Sequence, residues 1–328
     1  MPPTIHILDE PAILRILDDI NVPNALRRTF GALATGQTLQ PNQQVTLFPD
    51  EAGDVITYSG VLADQQAFGV KMSPYLSRPH GALITAWTLL MSMETGAPLL
   101  LCDASRLTVE RTAGTTALAV DLLARPDARV LAVVGLGKEG QAHLRHVLPL
   151  RAWQSVRLYS PTPNDNRRQR LTELDRRISW HDNLLATVAG ADVIMLCTSS
   201  GAPVLDPAIL TRRALITSIS TNAPRAHEIP PEALSSLDVY CDYRNAAPVS
   251  AGEMQIAVES HQWSPSRIRG DLPELITKQA PLPDYMRHVY FRSIGLGIED
   301  VAIALELYRA ATKASGTPLT KETKGESQ

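Results

Sequence analysis

The segment VLAVVGLGKEGQAHLRHV, at residues 130–147, constrains the fold more than any other part of this sequence. Its apolar run stops at Gly135 and a helical pattern follows, which predicts a strand, a glycine turn and a helix. Gly135 permits the sharp turn, Gly137 lets a diphosphate approach the backbone, and Gly140 lets the helix pack close to the strand. Because the helix N-terminus would face the diphosphate, the segment predicts dinucleotide binding rather than a bare structural turn.

After this turn the sequence alternates between strand and helix patterns. The predicted elements are a strand at 155–159, a helix at 167–177, and strands at 192–197, 214–218 and 237–241. This alternation is typical of a doubly wound parallel sheet. We therefore predict an α/β fold with a Rossmann-like dinucleotide domain at residues 126–299.

The first part of the chain has a different pattern. The predicted elements are a helix at 10–35, antiparallel strands at 44–48, 55–61 and 67–72, helices at 82–93 and 106–124, and, after a proline-rich connection at 272–284, a helix at 298–312. We predict that residues 1–125 and 300–328 form a smaller α+β domain for substrate binding and dimerisation, whose antiparallel sheet would pair across a two-fold axis in a homodimer.

Composition excludes several classes of function. The net charge of −3 over 328 residues is not that of a nucleic-acid-binding protein. The longest apolar stretch, at 82–93, is too short and too polar to span a membrane, and the N-terminus lacks a signal-peptide pattern, so we expect a cytoplasmic protein. Cys102, Cys197 and Cys241 are expected to be buried thiols. Neither they nor the eight histidines have metal-ligand spacing, so no metal is expected.

The end of the second predicted strand bears on the choice of cofactor. The strand at 155–159 is followed by Ser160 and Thr162 rather than by the acidic residue that binds the ribose of NAD. Hydroxyl groups and the guanidinium groups of Arg167 and Arg168 suit a 2′-phosphate. We therefore favour NADP(H), with NAD(H) as the alternative; the arginines would otherwise be a solvated helix face.

Two cations before residue 126 lie among small or apolar neighbours. Lys71 follows an alternating strand, and Arg111 begins a helix. An isolated cation is usually a surface charge, but an ammonium and a guanidinium together would bind a carboxylate. Asp300 is expected to be a partner of the last helix's dipole, and His143 to pack in the interior.

Five ordered blocks resemble the ornithine cyclodeaminase and mu-crystallin family over nearly the whole chain. They are GVK at 69–71, ETGAPLLLCDASRLTVERTAGTTALA at 94–119, GLGKEGQAHL at 135–144, ADVIMLCTSSGAPVL at 191–205 and RSIGLGIEDVAIA at 292–304. The resemblance implies a dimeric NAD(P)-dependent enzyme that acts on α-amino or α-imino acids. It also implies that Lys71 and Arg111 hold the substrate carboxylate while the glycine loop holds the cofactor.

Four hydroxyl side chains are further candidates for the cofactor site. Thr198 and Ser199 follow the strand at 192–197 at its carboxyl end, where open α/β sheets bind ligands. Thr112 either contacts the cofactor or merely continues its helix. Ser293 lies in the last block of the resemblance, which implies a place near the nicotinamide.

The sequence departs from the family pattern at two positions. By this resemblance, Gln43 stands where many members of the family have an arginine that binds the substrate carboxylate. Asn222 stands where cyclodeaminases have an aspartate. An amide has no pKa near neutrality and cannot act as a general base, although it can orient an amine, an imine or water. Cyclodeamination needs repeated proton transfer, so the loss of the aspartate carboxylate would affect that reaction most.

The predicted function is therefore the reduction of cyclic α-imino acids by NAD(P)H, from pyrroline-2-carboxylate or piperideine-2-carboxylate to proline or pipecolate. An L-amino acid dehydrogenase acting on arginine or lysine is the first alternative. A cyclodeaminase of ornithine or lysine and a non-catalytic NADPH-dependent binding protein are the others. In each case the expected ligand is a small amino or imino acid, with Lys71 and Asn222 as catalytic candidates.

Overall fold

The computed structural model describes residues 5–78, 81–162, 164–221 and 223–314. The chain divides into two compact units. The first unit comprises Met1–Ala25, Gln37–Thr108 and Leu296–Gln328, and the second comprises Leu26–Gly36 and Val109–Gly295. Part of the predicted N-terminal domain thus lies in the second unit. The functions that we assign to the predicted domains remain predictions.

The strands, in chain order, are β1 (His6–Leu8), β2 (Thr38–Leu39), β3 (Gln44–Leu47), β4 (Gly53–Leu62), β5 (Ala67–Leu76), β6 (Leu83–Ile84), β7 (Trp87–Ser92), β8 (Pro98–Asp103), β9 (Val130–Val134), β10 (Ser155–Tyr159), β11 (Ile178–Trp180), β12 (Val193–Leu196), β13 (Leu215–Ser218), β14 (Asp238–Cys241), β15 (Ile268–Asp271) and β16 (Val289–Arg292).

The α-helices are α1 (Glu10–Leu14), α2 (Val22–Ala34), α3 (Ser105–Leu123), α4 (Lys138–Val147), α5 (Asp165–Leu174), α6 (Leu184–Val188), α7 (Ala247–Ser250), α8 (Gly252–Glu259), α9 (Leu272–Ile276) and α10 (Gly297–Ala314). Within the described ranges, none of these helices is long and apolar enough to cross a membrane.

The second unit contains a parallel sheet in the order β11-β10-β9-β12-β13-β16-β14-β15. All of its strand pairs are parallel. The predicted doubly wound α/β fold is therefore confirmed. The chain runs outward from β9 to β10 and β11, then returns to the other side of β9 with β12 and β13. This reversal between β9 and β12 is the point outside which such sheets bind their ligands.

Strands β9, β12, β13 and β14 could be predicted because they are largely buried on both faces, so that β9 and β12 are unbroken apolar runs and β13 and β14 are mostly apolar. Strand β16, which lies between β13 and β14, was not predicted. It follows the proline-rich connection, in which the structure also places α9. The capping box of Asp271 and Glu274 begins that helix.

The first unit contains a mixed sheet in the order β1-β8-β7-β5-β4-β2, with β3 beside β4 and β6 beside β5. Strands β3, β4 and β5 are antiparallel, as predicted. The helix predicted at 82–93 is wrong, because this segment forms β6 and β7. Along β7, Thr88, Leu90 and Ser92 are buried in alternation, and pairing with β5 and β8 satisfies the backbone on both sides. Sheet pairing with distant segments therefore outweighs the helical appearance of the local sequence.

Helix α10 packs on β4, β5, β7 and β8 of this sheet. Glycines make the approach close: an ideal Cβ on Gly60 would lie 2.8 Å from the backbone of Ile298, and one on Gly297 would lie 2.1 Å from the carbonyl oxygen of Ser59. The start of α10 therefore lies directly against β4, which brings its first turn to the buried side chains of the sheet.

Candidate active site

The glycine turn of the second unit has the geometry of a diphosphate cradle. Gly135 has φ +89°, and an ideal Cβ there would lie 2.6 Å from the carbonyl oxygen of Cys197. A Cβ on Gly140 would lie 1.9 Å from the carbonyl oxygen of Gly135, so this glycine serves the packing of helix against strand. Gly137, in contrast, faces open space at the N-terminus of α4. The turn fits a dinucleotide at Gly137.

A cavity of about 310 Å³ lies beside this turn, at the carboxyl ends of β10 and β11. Its lining includes Ser160, Asp165, Arg168, Trp180, His181 and Asp182. The Arg168 guanidinium lies 5.5 Å from the centroid of the Trp180 ring. A cation held over an aromatic ring at this end of the sheet suits the adenosine half of a dinucleotide.

Only some of the residues that were predicted to bind the cofactor in this region line the cavity. The hydroxyl oxygens of Ser160 and Thr162 lie 3.3 Å apart. Arg167 donates its backbone N–H to the Asn164 cap of α5, and Arg168, rather than Arg167, lines the cavity. The sequence did not indicate Trp180, because its strand is only three residues long and was not predicted.

On the opposite side of β9 from the cavity, Thr198 follows β12. Thr198 donates its backbone N–H and its hydroxyl to Glu228 at 2.8 and 2.7 Å. Ser199 is exposed beside it. The sequence did not indicate Glu228, a buried carboxylate in a loop.

Ser293 and Arg111 belong to one arrangement around Asp242. The fully buried Asp242 carboxylate accepts hydrogen bonds from the Ser293 hydroxyl at 3.1 Å and from the N–H groups of Ile294 and Gly295. Burial raises the pKa of Asp242 above its usual value, and these hydrogen bonds offset only part of that increase. Gly295 has φ +75°, and a Cβ there would lie 2.2 Å from Nη1 of Arg111. The buried guanidinium thus lies against a glycine that Asp242 holds in place.

Lys71 is the centre of a buried cluster in the first unit. Its Nζ lies 2.9 Å from Oδ2 of Asp300, 3.4 Å from Oγ1 of Thr108 and 4.2 Å from the centroid of the Tyr58 ring. Tyr58 is the cross-strand partner of Lys71. Asp300 is therefore the ion-pair partner of Lys71, whereas the sequence suggested only a role with the helix dipole. A buried acid at the start of α10, one turn after the glycines, could have signalled this contact.

Of three further predicted site residues, two lie within the described ranges. Thr112 is buried on α3, next to Arg111. Gln43 is partly exposed in the connection between β2 and β3 of the first unit. Asn222 lies outside the described residues, so its proposed role rests on the sequence.

One histidine and the three cysteines are buried in the interior. His143 packs as expected: it is fully buried between the Thr116 hydroxyl and the carbonyl oxygen of Glu139, and burial lowers its pKa to about 4. Burial also raises the pKa of Cys102 to about 12 and those of Cys197 and Cys241 well above the usual thiol range.

A model of the ornithine cyclodeaminase/mu-crystallin family matches residues 13–315. The chain belongs to this family. It is 56% identical to the NAD(P)H-dependent anabolic L-arginine dehydrogenase DauB of Pseudomonas aeruginosa, in a match that covers 92% of this chain and 96% of that protein. It is 25% identical to a Delta(1)-pyrroline-2-carboxylate reductase of Bacillus cereus, with 84% and 87% of the two chains covered.

The fold also matches a solved structure, the Delta(1)-pyrroline-2-carboxylate reductase of Thermococcus litoralis in complex with NADH and L-proline. The TM-score is 0.87 at 20% identity, and the match covers 95% of this chain and 98% of that chain. The predicted family is therefore confirmed, as is the prediction of an NAD(P)H-dependent oxidoreductase that acts on the carbon–nitrogen bond of amino or imino acids.

Proposed function

We propose that this protein is an NAD(P)H-dependent L-arginine dehydrogenase. The observation that carries the proposal is the 56% identity to an L-arginine dehydrogenase over 92% of the chain. In the oxidative direction the Cα hydrogen would leave as hydride, which the bound cofactor accepts, and the ammonium nitrogen would lose one proton to water, so that a protonated imine forms. Water would then replace the imine nitrogen, giving a 2-oxo acid and ammonia. This was the first alternative of the sequence analysis, and it now replaces cyclic imine reduction as the leading hypothesis.

The chain's own residues would bind and orient the substrate. Lys71 offers a buried ammonium that Asp300 and Tyr58 hold in one position, which suits the electrostatic binding of an α-carboxylate. Arg111, with its planar guanidinium, is the second proposed carboxylate ligand. Asn222 would orient the amine or imine without exchanging a proton. When bound at the glycine turn, the cofactor supplies hydride transfer.

The decisive experiment follows NADPH formation from NADP+ and L-arginine, with ammonia measured in parallel. The reverse reaction uses NADPH, ammonia and the 2-oxo acid of arginine. Equal formation of NADPH and ammonia supports the proposal, and L-lysine and L-ornithine test side-chain specificity. No turnover of arginine in either direction would overturn it.

Cyclic α-imino acid reduction is the second candidate, because an amide at position 222 weakens only reactions that need a proton-transferring carboxylate. Oxidation of NADPH by pyrroline-2-carboxylate at a kcat/KM above that for the arginine couple would establish it instead.

We also propose that the enzyme prefers NADP(H) and accepts NAD(H). Arg168 over Trp180 supports this preference, as does the absence of an acidic residue at the end of β10. Arg168→Ala should lower the NADPH-to-NADH ratio of kcat/KM about tenfold, the loss expected for one charge-assisted contact. Arg170→Ala is the matched control, because Arg170 points to Oε1 of Gln141 on α4, 2.9 Å away. An unchanged ratio in Arg168→Ala would contradict this assignment.

A homodimer is proposed as well, with the first unit as its interface and the cytoplasm as its location. Apolar side chains on the sheet support the interface: Val45, Leu47 and Ile84 are 60%, 76% and 66% exposed. Light scattering should give twice the mass of 35.7 kDa, and Leu47→Lys should lower it to that of a monomer. A parent protein that is monomeric at micromolar concentration would refute the interface.

A further inference from the structure

Glu228 is a buried carboxylate that connects two loops at the ligand-binding edge of the parallel sheet. Its Oε1 accepts the backbone N–H and the hydroxyl of Thr198, at 2.8 and 2.7 Å. Its Oε2 accepts the Ser218 hydroxyl at 2.7 Å and the backbone N–H groups of Ile219 and Ser220 at 3.2 and 2.9 Å. The side chain has no exposed surface. One carboxylate thus connects the ends of β12 and β13.

The position of these loops in the topology assigns them to one half of the cofactor. A dinucleotide lies across the reversal between β9 and β12, and the cavity at Arg168 places the adenosine half beside β10 and β11. The ends of β12 and β13 lie on the opposite side of that reversal. They therefore face the nicotinamide half.

The loop after β13 carries a second sign of a binding function. Ser220 has φ +54°, a left-handed conformation that is unusual for serine and that its N–H bond to Glu228 helps to hold. Its hydroxyl oxygen is buried and has no hydrogen-bond partner among the described residues. A buried hydroxyl of this kind normally has a partner, and a ligand in the neighbouring site would provide one.

We propose that Glu228 is a positioning residue that sets the loops of Thr198 and Ser220 for the nicotinamide half of the cofactor. The proposal rests on the dinucleotide binding in the proposed function and not on the identity of the substrate. Glu228 acts through the two loops and does not touch the reacting atoms. Because all five of its contacts are donors, only a group with two accepting oxygens satisfies both loops.

The test is Glu228→Gln, which keeps the size of the side chain but turns an NH₂ group towards the donors of one loop. The affinity for NADPH and for adenosine 2′,5′-bisphosphate is measured by calorimetry on the full-length protein. We expect the Kd for NADPH to rise about tenfold, while the Kd for the bisphosphate, which has no nicotinamide, stays within about twofold. Equal weakening of both ligands, or no change in either, would overturn the proposal.

Asp192→Asn is the matched control. Asp192 is also buried and also accepts several donors, from Arg129, Val130 and Arg125, but it precedes β12 at the amino end of the sheet. Its replacement should lower the melting temperature and leave the ratio of the two dissociation constants unchanged. A ratio that moves as much as in Glu228→Gln would mean that any buried carboxylate of this sheet has the same effect.

If Glu228→Gln does not fold, Ser218→Ala removes a single donor to Oε2 and should change the same ratio about threefold. An unchanged ratio there would refute the proposal. Since both readouts are binding constants, they stand even if the enzyme does not turn over arginine. Failure of the proposed substrate and failure of this inference can therefore be told apart.

Discussion

Replacing Gly137 by alanine should abolish most cofactor affinity without harming the fold. The backbone there has φ −65° and ψ −165°, which alanine adopts freely, and a Cβ would meet no atom within 4 Å. The free energy of unfolding should therefore stay the same or rise by up to about 1 kcal/mol, because alanine restricts the unfolded chain.

The cost appears only when the diphosphate binds. A methyl group in a tight contact costs about 1–3 kcal/mol, so the Kd for NADPH should rise about fivefold to 150-fold. Quenching of tryptophan fluorescence by NADPH measures the affinity, and thermal unfolding followed by circular dichroism measures the stability. A Kd within about twofold of the parent protein would refute the assignment of Gly137 to the diphosphate.

Gly140→Ala is the contrasting variant. Its Cβ would lie 1.9 Å from the carbonyl oxygen of Gly135, which a folded backbone cannot accept without moving. We expect the melting temperature to fall sharply even without cofactor. If the two variants behaved alike, the separation of a binding glycine from a packing glycine would be wrong.

Three further predictions concern buried titratable side chains. His143 has a pKa of about 4 in the folded protein against 6.5 in the unfolded chain, so the unfolded chain binds the proton first. About 3 kcal/mol of stability should be present above pH 6.5 and be lost between pH 6.5 and 4, and urea unfolding of His143→Gln across this range should lack that part of the acid sensitivity. Lys71→Met leaves the Asp300 carboxylate buried without its ammonium, and denaturant unfolding should show a loss of about 3 kcal/mol; a stable and active variant would contradict the role of Lys71. The three cysteines should resist iodoacetamide in the native protein at pH 8 and react fully after denaturation, as mass spectrometry can show.

Local patterns in the sequence were enough to predict the glycine turn and most of the parallel sheet. Gly135, Gly137 and Gly140 have fixed spacing, and strand β9 before them is largely buried on both faces, so each signal is complete within a short segment. Strand β7 was not predictable in this way. Its residues form a strand because β5 and β8 pair with it from both sides, and no local pattern reports those partners.

The candidate site shows the same division. Lys71 was recognisable from its small and apolar neighbours, but its partner Asp300 is more than two hundred positions away on α10. Glu228 and Asp242 are absent from the sequence-based site because each acts through hydrogen bonds to loops that meet only in the folded sheet. A carboxylate in a loop sequence looks like a solvated charge until its donors are known.

Helix α10 is synthesised after all the other described elements, yet it covers the sheet whose strands are synthesised first. During synthesis the whole second unit up to Gly295 leaves the ribosome before α10 does. Until α10 is synthesised, the apolar face and the glycine backbone of this sheet are therefore exposed to solvent. Exposed apolar surface favours aggregation at this stage. A messenger RNA that ends after the codon for Gly295 would yield the second unit joined to a sheet that lacks its covering helix. We expect chaperones to bind such a product and proteases to degrade it.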